Sequence, residues 1–494
     1  MNFNSVQFLI FFPIVVALYY LIPRKLKCVW LLVASYYFYM CWNIKYALLI
    51  AVSTLITYGA GLLLNGTANR RKRKLIVALS LVANLGILVF FKYFGFILTN
   101  INHITGLFGI EAVSNPFDFL LPVGISFYTF QALGYTIDVY RGEIAAEKNI
   151  VKYALFVSFF PQLVAGPIER SRNLLSQINR VSSKKEFDYK KFVTGFSMMV
   201  WGLFEKVVIA DRISIFVDGV FSSLQAVGTV ETLLAAFGFA IQIYCDFGGY
   251  SAIAIGAANV MGFDLMENFN APYLSSSISD FWHRWHISLS TWFRDYLYIP
   301  LGGNRCSKIR KYFNIMVTFI VSGLWHGAAW TYVLWGMIHG AYQVIGDALM
   351  PLRKKVTKAL KVDTDTFSYN FGRIIITFIL TSLAWVPFRA ASMGDVLLYF
   401  KDMFTRPNLW ILFDEGMFAF GLTRQETTIL TLAILLMIVV DLLKYFKNET
   451  LGAFLYRQNL WFRWLVLIML IVACVVFGKY GIDFDSSQFI YFRF

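Results

Sequence analysis

The chain has 494 residues, 58% of them hydrophobic and 15% charged, with a mean hydropathy of +0.61. That composition excludes an ordinary soluble globular protein and points to a multi-pass membrane protein in a lipid bilayer. The net charge of +15 would suit a nucleic-acid partner in a soluble chain, but here the basic residues lie largely between apolar runs, where they set topology, so no nucleic acid is expected.

Residues 6–22 are apolar, with no positive stretch before them and Arg24, Lys25 and Lys27 after them. A cleaved signal peptide has the opposite charge order, so this reads as a retained first span with its N-terminus outside. Residues 29–40 and 46–64 lead to Arg70-Arg71-Lys72-Arg73-Lys74, and two passes between two basic loops place both loops in the cytoplasm. Residues 75–98 return outward to a loop, 99–116, without Lys or Arg. Pro122, Gly124 and Gly134 within residues 117–140 predict a broken helix. Residues 154–168 are short for a span, carry Pro161, Gly166 and Pro167, and read as re-entrant. Seven basic residues between 170 and 191 mark a cytoplasmic loop. Residues 192–210 pass out and 233–258 pass back. Asp246 lies in the second of these, where a packed, hydrogen-bonded acid explains it at least as well as a catalytic one.

Residues 312–346 are 35 positions without a single Asp, Glu, Lys or Arg, and His326 sits near their middle. One pass needs about 20 residues and two need about 40, so two short or bent helices should meet near Gly327 or Trp330. Gly323 and Gly327, like Gly336 and Gly340, stand four apart, a spacing that lets helix backbones approach closely. Beyond lie a basic, cytoplasmic stretch at 353–361, further passes at 371–388, 427–440 and 461–477, and an outer tail with Asp483 and Asp485. The expected fold is an all-α polytopic membrane protein of about 11–12 spans with re-entrant and interfacial helices. It forms one membrane domain over residues 1–494, with a motif core at about 117–350. The five scattered cysteines argue against a disulfide framework.

An ionisable group deep in an apolar run is costly and defaults to a functional reading. His326 is therefore the first catalytic candidate. Residues 270–310 are too charged for a normal span. Within them Trp282, Trp285, Leu289, Trp292 and Tyr296 recur at steps of three and four, an amphipathic stripe. On one continuous helix His286 borders that stripe, while His283 falls on the polar side with Arg284, Arg294 and Asp295. Two facts oppose a metal held by Asp280, His283 and His286: Asp280 and His286 point apart around such a helix, and Asp280 stands where an N-terminal cap would. No metal is expected. There is no G-x-S-x-G elbow, P-loop or G-x-G-x-x-G cradle. The preferred pair is His286 and His326, suited to general-base catalysis. His339 is explained equally well as a packed helix–helix hydrogen bond, and His103 lies in the outer loop.

These motifs resemble the membrane-bound O-acyltransferase (MBOAT) family, nearest its bacterial alginate O-acetyltransferase-like branch. The resemblance is carried by residues 282–305, ending Tyr298-Ile299-Pro300-Leu301-Gly302-Gly303-Asn304-Arg305. Other matching pieces are Phe127-Tyr128-Thr129-Phe130-Gln131, residues 160–168, Tyr244-Cys245-Asp246-Phe247, residues 267–273, Leu324-Trp325-His326-Gly327 and the terminal residues 489–494. Gly248, Ala252 and Arg493 depart from the branch's usual pattern. The resemblance implies transfer of an acetyl group from cytoplasmic acetyl-CoA toward hydroxyls of an extracytoplasmic cell-envelope polysaccharide, with an extracytoplasmic acetyltransferase partner protein completing delivery. His326 would be the base and His286 its second histidine, with no permanently bound cofactor. Asn304 and Arg305 would lie on the acyl-CoA side, a role that positive-inside topology explains equally well. D-alanyl transfer to teichoic acid and lipid acylation are the alternatives within the family. A transporter, which should show internal repeats and intramembrane acid–base pairs, is the alternative outside it; neither feature is evident in the sequence.

Overall fold

A computed structural model describes residues 1–117, 121–164, 166–181, 187–480 and 489–490. Among the described residues the regular structure is helical throughout, with no strand. Within the described residues, seven helices are long and apolar enough to cross a membrane: Ile44–Asn65, Arg70–Gly106, Tyr189–Ser222, Thr229–Val260, Phe367–Arg389, Arg424–Lys447 and Leu460–Phe477. Other expected passes correspond to shorter helices, such as Val6–Leu21 and Lys27–Met40. The chain is an all-α, multi-pass membrane protein.

Three local expectations change. The basic run at Arg70 is not a loop: it forms the first turns of Arg70–Leu88, capped by the Asn69 side chain, which accepts from the Arg71 and Lys72 N–H groups. His103, expected in the outer loop 99–116, lies inside Phe94–Gly106. The break expected within 117–140 falls at the front, where Gly124 at φ +75° precedes Ile125–Arg141, and the helix runs through Gly134 intact. A helical glycine costs only about 1 kcal/mol, less than the packing of so buried a helix returns. Residues 154–168 do break, at Phe159 between Ile150–Ser158 and Phe160–Leu163, and every described residue of that stretch is buried. Irregular backbone in an apolar setting has to be enclosed by protein in this way. Ala165 and the tail with Asp483 and Asp485 lie outside the described residues.

The chain packs as two compact units, residues 1–195 with 254–266 and residues 196–253 with 267–494. In the first, Tyr135 and Tyr153 pack at 4.5 Å between ring centroids, and the buried Tyr153 hydroxyl donates to Thr57 at 2.7 Å. Buried tyrosines need such a partner.

The second unit contains the hairpin foreseen for 312–346. Its arms are Lys308–His326 and Trp330–Ala359, joined through an extended Gly327. A Cβ built at Gly323 would overlap the Tyr332 carbonyl, and one at Gly336 the Phe319 carbonyl, so each glycine lets the opposite backbone in. The other end is tied by Asp347, which accepts from Lys311 at 2.9 Å and Tyr312 at 3.1 Å.

Candidate active site

All the candidate residues belong to the second unit. The tryptophan-rich stripe is not one helix: Ile278–Arg284 and Ile287–Phe293 are separated by Trp285 in an extended conformation and His286 in the left-handed region, φ 42° and ψ 52°. A non-glycine residue adopts that conformation only when its surroundings impose it. Here the segment that imposes it is the preceding stretch. The Asn270 N–H donates to the Arg284 carbonyl at 3.0 Å, and the Ile287 N–H donates to the Asn268 carbonyl at 2.9 Å, so both sides of the turn are held from one segment. The Asn268 side chain, itself buried, donates to Ser251 at 3.0 Å and accepts from Ser288 at 2.6 Å. The continuous-helix expectation is thus corrected, but its separation of the histidines survives: His286 is fully buried and His283 exposed. Asp280 is likewise not the cap. Ser277 caps the helix, and Asp280 accepts from Arg284 at 2.9 Å and from the Ser276 N–H at 3.2 Å.

His326 ends its helix immediately before the extended Gly327 and is buried. Its ring lies 6.2 Å from that of His286, centroid to centroid. Trp325 and Trp335 each stand 5.0 Å from His326, Phe388 stands 5.3 Å from it, and Phe247 packs 4.7 Å from His286. Two imidazoles, one at the end of a helix and one in the turn between two others, therefore stand close together inside an aromatic enclosure. His286 lies outside the seven apolar helices. Burial pushes its imidazole down to about 3, because the cation would lose its hydration, and it stays neutral at physiological pH.

A cavity of about 240 Å³ is lined by chain neighbours of this pair, though by neither histidine itself. Ile315, Thr318, Phe319 and Ser322 line it along the helix that ends in His326. At about 1.5 Å per residue, Ser322 stands one turn, roughly 6 Å, below His326. Ile287, next to His286, and Trp282 also line it. Toward the start of that helix the lining includes Tyr298 and Arg294. Tyr298 donates its hydroxyl to Asn304, so the Gly302-Gly303-Asn304-Arg305 turn stands beside the cavity's far end. Gly302 and Gly303 both have positive φ, and the buried Asn314 donates to the Gly303 carbonyl at 3.3 Å. Asn304 and Arg305 are exposed, apart from the two histidines. His339 takes the packing role: its Nδ1 accepts from the Trp282 indole N–H at 3.3 Å.

Sequence reading missed Asn268 and Asn314, whose importance rests on main-chain partners distant in sequence. It also missed an ion-pair cluster. Lys206 is buried between Asp211 at 2.7 Å and Asp246 at 2.6 Å, and Asp246 further accepts from the Ile490 N–H at 2.7 Å. Acid–base pairs within apolar helices are therefore present after all. The visible signal was Glu205-Lys206 inside a predicted pass. Of the terminal motif, Phe489 packs on Tyr250 with centroids 4.6 Å apart, while residues 491–494 lie outside the described residues. Among the described residues no group of three or more His, Cys, Asp or Glu side chains is placed to hold a metal ion.

A family model described as "MBOAT, membrane-bound O-acyltransferase family" matches residues 143–386. The chain is 39% identical over 458 residues to "Probable alginate O-acetylase AlgI" of Azotobacter vinelandii, covering 92% of this chain and 87% of the relative. It is 41% identical over 411 residues to the protein of the same name from Pseudomonas aeruginosa, covering 82% and 75%. It is 35% identical over 401 residues to "Peptidoglycan O-acetyltransferase" of Helicobacter pylori, covering 76% and 73%.

Proposed function

The chain belongs to the membrane-bound O-acyltransferase family and is an acyltransferase; from that premise we propose that it moves acetyl groups from cytoplasmic acetyl-CoA to hydroxyls of a cell-envelope polysaccharide outside the cytoplasmic membrane. The relatives named for alginate and peptidoglycan O-acetylation support the acceptor class. The observation that supports the reaction is the pair of buried imidazoles, 6.2 Å apart between ring centroids, with their chain neighbours Ile287 and Ser322 lining a cavity.

In this reading the thioester enters along Ile315–Ser322, its phosphates near Asn304 and Arg305, where a guanidinium and the first turn of the next helix supply positive charge and N–H donors. Neutral His286 donates a hydrogen bond to the thioester carbonyl without adding a buried cation. His326 accepts the proton of the attacking hydroxyl as the oxygen–carbon bond forms. The carbon–sulfur bond breaks, and the proton passes to the leaving thiolate, so the exchange of thioester for ester consumes no net proton. A positioned base of this kind contributes about 10²–10⁴-fold. An extracytoplasmic acetyltransferase partner completes delivery to the polymer. The N-terminus faces outside.

The test is His326→Ala in cells that make the polysaccharide, reading ester-linked acetate on the isolated polymer. Acetate is expected to fall to the level of a deletion strain while the protein still inserts and purifies. Retained acetylation would remove His326 from the base role.

A further inference from the structure

The uncharged run that closes at Gly346 does not end its helix. Trp330–Ala359 has 30 residues, about 45 Å at about 1.5 Å each, against a hydrocarbon core about 30 Å thick. Its last turns therefore reach past the apolar core or bend along its edge. Asp347, bonded to Lys311 and Tyr312, ties the helix to the other arm of the hairpin just before Pro351. A proline inside a helix removes one main-chain hydrogen bond and favours a bend at that point. Beyond it, residues 352–361 carry Arg353, Lys354, Lys355, Lys358 and Lys361 and no acid.

Topology alone would be served by a basic loop. Here the basic segment is helical to Ala359 and keeps an apolar stripe. At about 100° per residue, Ile345, Leu349, Leu352 and Val356 fall within about 60° of one another. All four are exposed. On the same wheel Arg353 and Lys355 flank the stripe, while Lys354 and Lys358 lie opposite, and these four are exposed as well. The stripe thus crosses Pro351 from the uncharged part of the helix into the charged part. Exposed apolar side chains flanked by cations are the pattern of a helix lying in the bilayer interface, its apolar face at the acyl boundary and its charges at headgroup depth.

We propose that residues 352–361 are an interfacial anchor for anionic phospholipid, with Arg353 and Lys355 meeting the headgroup phosphates and Leu352 and Val356 meeting the acyl chains. Charge selects the lipid. A zwitterionic surface has no net charge to offer, whereas an anionic one attracts each nearby Lys or Arg by about 5-fold in partition. The same helix carries Trp335, whose ring stands 5.0 Å from that of His326. The anchor therefore holds, from its far end, the hairpin that bears the candidate base. Nothing in this depends on which donor or acceptor is used, so it stands apart from the acetyl-transfer reading.

The experiment places the full-length protein in nanodiscs of phosphatidylcholine, with or without phosphatidylglycerol, and reads amide hydrogen exchange of residues 352–361 by mass spectrometry. Phosphatidylglycerol should slow exchange there by about 10-fold or more, and high salt should cancel the slowing by screening the charges. Equal exchange in the two lipids, or slowing that survives high salt, overturns the proposal. Arg353→Gln, Lys354→Gln, Lys355→Gln and Lys358→Gln made together keep good helix formers in place and should abolish the phosphatidylglycerol effect. Slowing that persists in that variant removes these side chains from the anchor. Should the variant fail to insert, the salt series on the unaltered protein decides. Acetyl-CoA added to the phosphatidylcholine discs separates the other source of phosphate. It should leave the segment unprotected, and protection equal to that from phosphatidylglycerol would assign the segment to the donor and overturn the lipid reading. Since no readout uses acetyl transfer, failure of that reading leaves this test intact.

Discussion

Lys206 holds two carboxylates at once, at 2.7 and 2.6 Å, in a setting where all three side chains are buried. Such a cluster balances large desolvation costs against short, charge-assisted contacts, and its net worth is modest while it is complete. Removing one partner is another matter, because the uncompensated charges remain inside. Lys206→Met should therefore lower stability by about 3–5 kcal/mol, seen as a large drop in the thermal midpoint of the detergent-solubilised protein. Adding Asp246→Asn to Lys206→Met removes one stranded charge and should restore part of that loss. A single variant as stable as the parent would show that the cluster is not load-balanced in this way. At this scale the sequence was informative about which residues are unusual and silent about whom they meet. His326 stands out because it is an ionisable residue in 35 positions without charge. Asp246 stands out for the same reason, but its partner Lys206 lies 40 positions earlier, and only folding brings the two within 2.6 Å.

The break between Ile278–Arg284 and Ile287–Phe293 shows the same boundary at the scale of an element. Helical periodicity is local, and Trp282, Trp285, Leu289, Trp292 and Tyr296 keep that period across the break, so nothing in the stripe announces it. The turn is imposed by main-chain groups of Asn268 and Asn270. The hairpin of Lys308–His326 and Trp330–Ala359 was legible, by contrast, because its causes are local: a length too great for one pass and glycines at close-approach spacing. Asn268→Ala tests the imposed turn. It removes the side-chain bonds to Ser251 and Ser288 while leaving the Ile287 N–H bond to the Asn268 carbonyl in place. Stability should fall by about 1–3 kcal/mol. Transfer per folded molecule should fall further, because His286 loses the support that holds its positive φ and its distance to His326. Acetyl transfer that falls only in step with the amount of folded protein would mean that the turn holds without Asn268.

For the molecule as a whole, hydropathy gave the helical, membrane-spanning character, because burial in lipid is a property of composition. It could not reveal the division into two packing units, which depends on which helices meet. Sidedness lies between these. It follows from charge asymmetry, and the chain's own cysteines can test it. Cys28, Cys245 and Cys474 are buried, whereas Cys41 and Cys306 are exposed. Cys41 follows the second predicted span, opposite the basic residues Arg24, Lys25 and Lys27, so it should face outside. Cys306 directly follows Arg305 and precedes Lys308, Arg310 and Lys311, so it should face the cytoplasm, where the donor would enter. A membrane-impermeant maleimide added to intact spheroplasts should label Cys41 and spare Cys306, and inverted vesicles should show the reverse. Acetyl-CoA added with the maleimide should slow labelling of Cys306 in inverted vesicles, because the donor's phosphates would sit against the turn that carries it. Labelling of Cys306 from outside would invert the donor side and, with it, the direction of transfer.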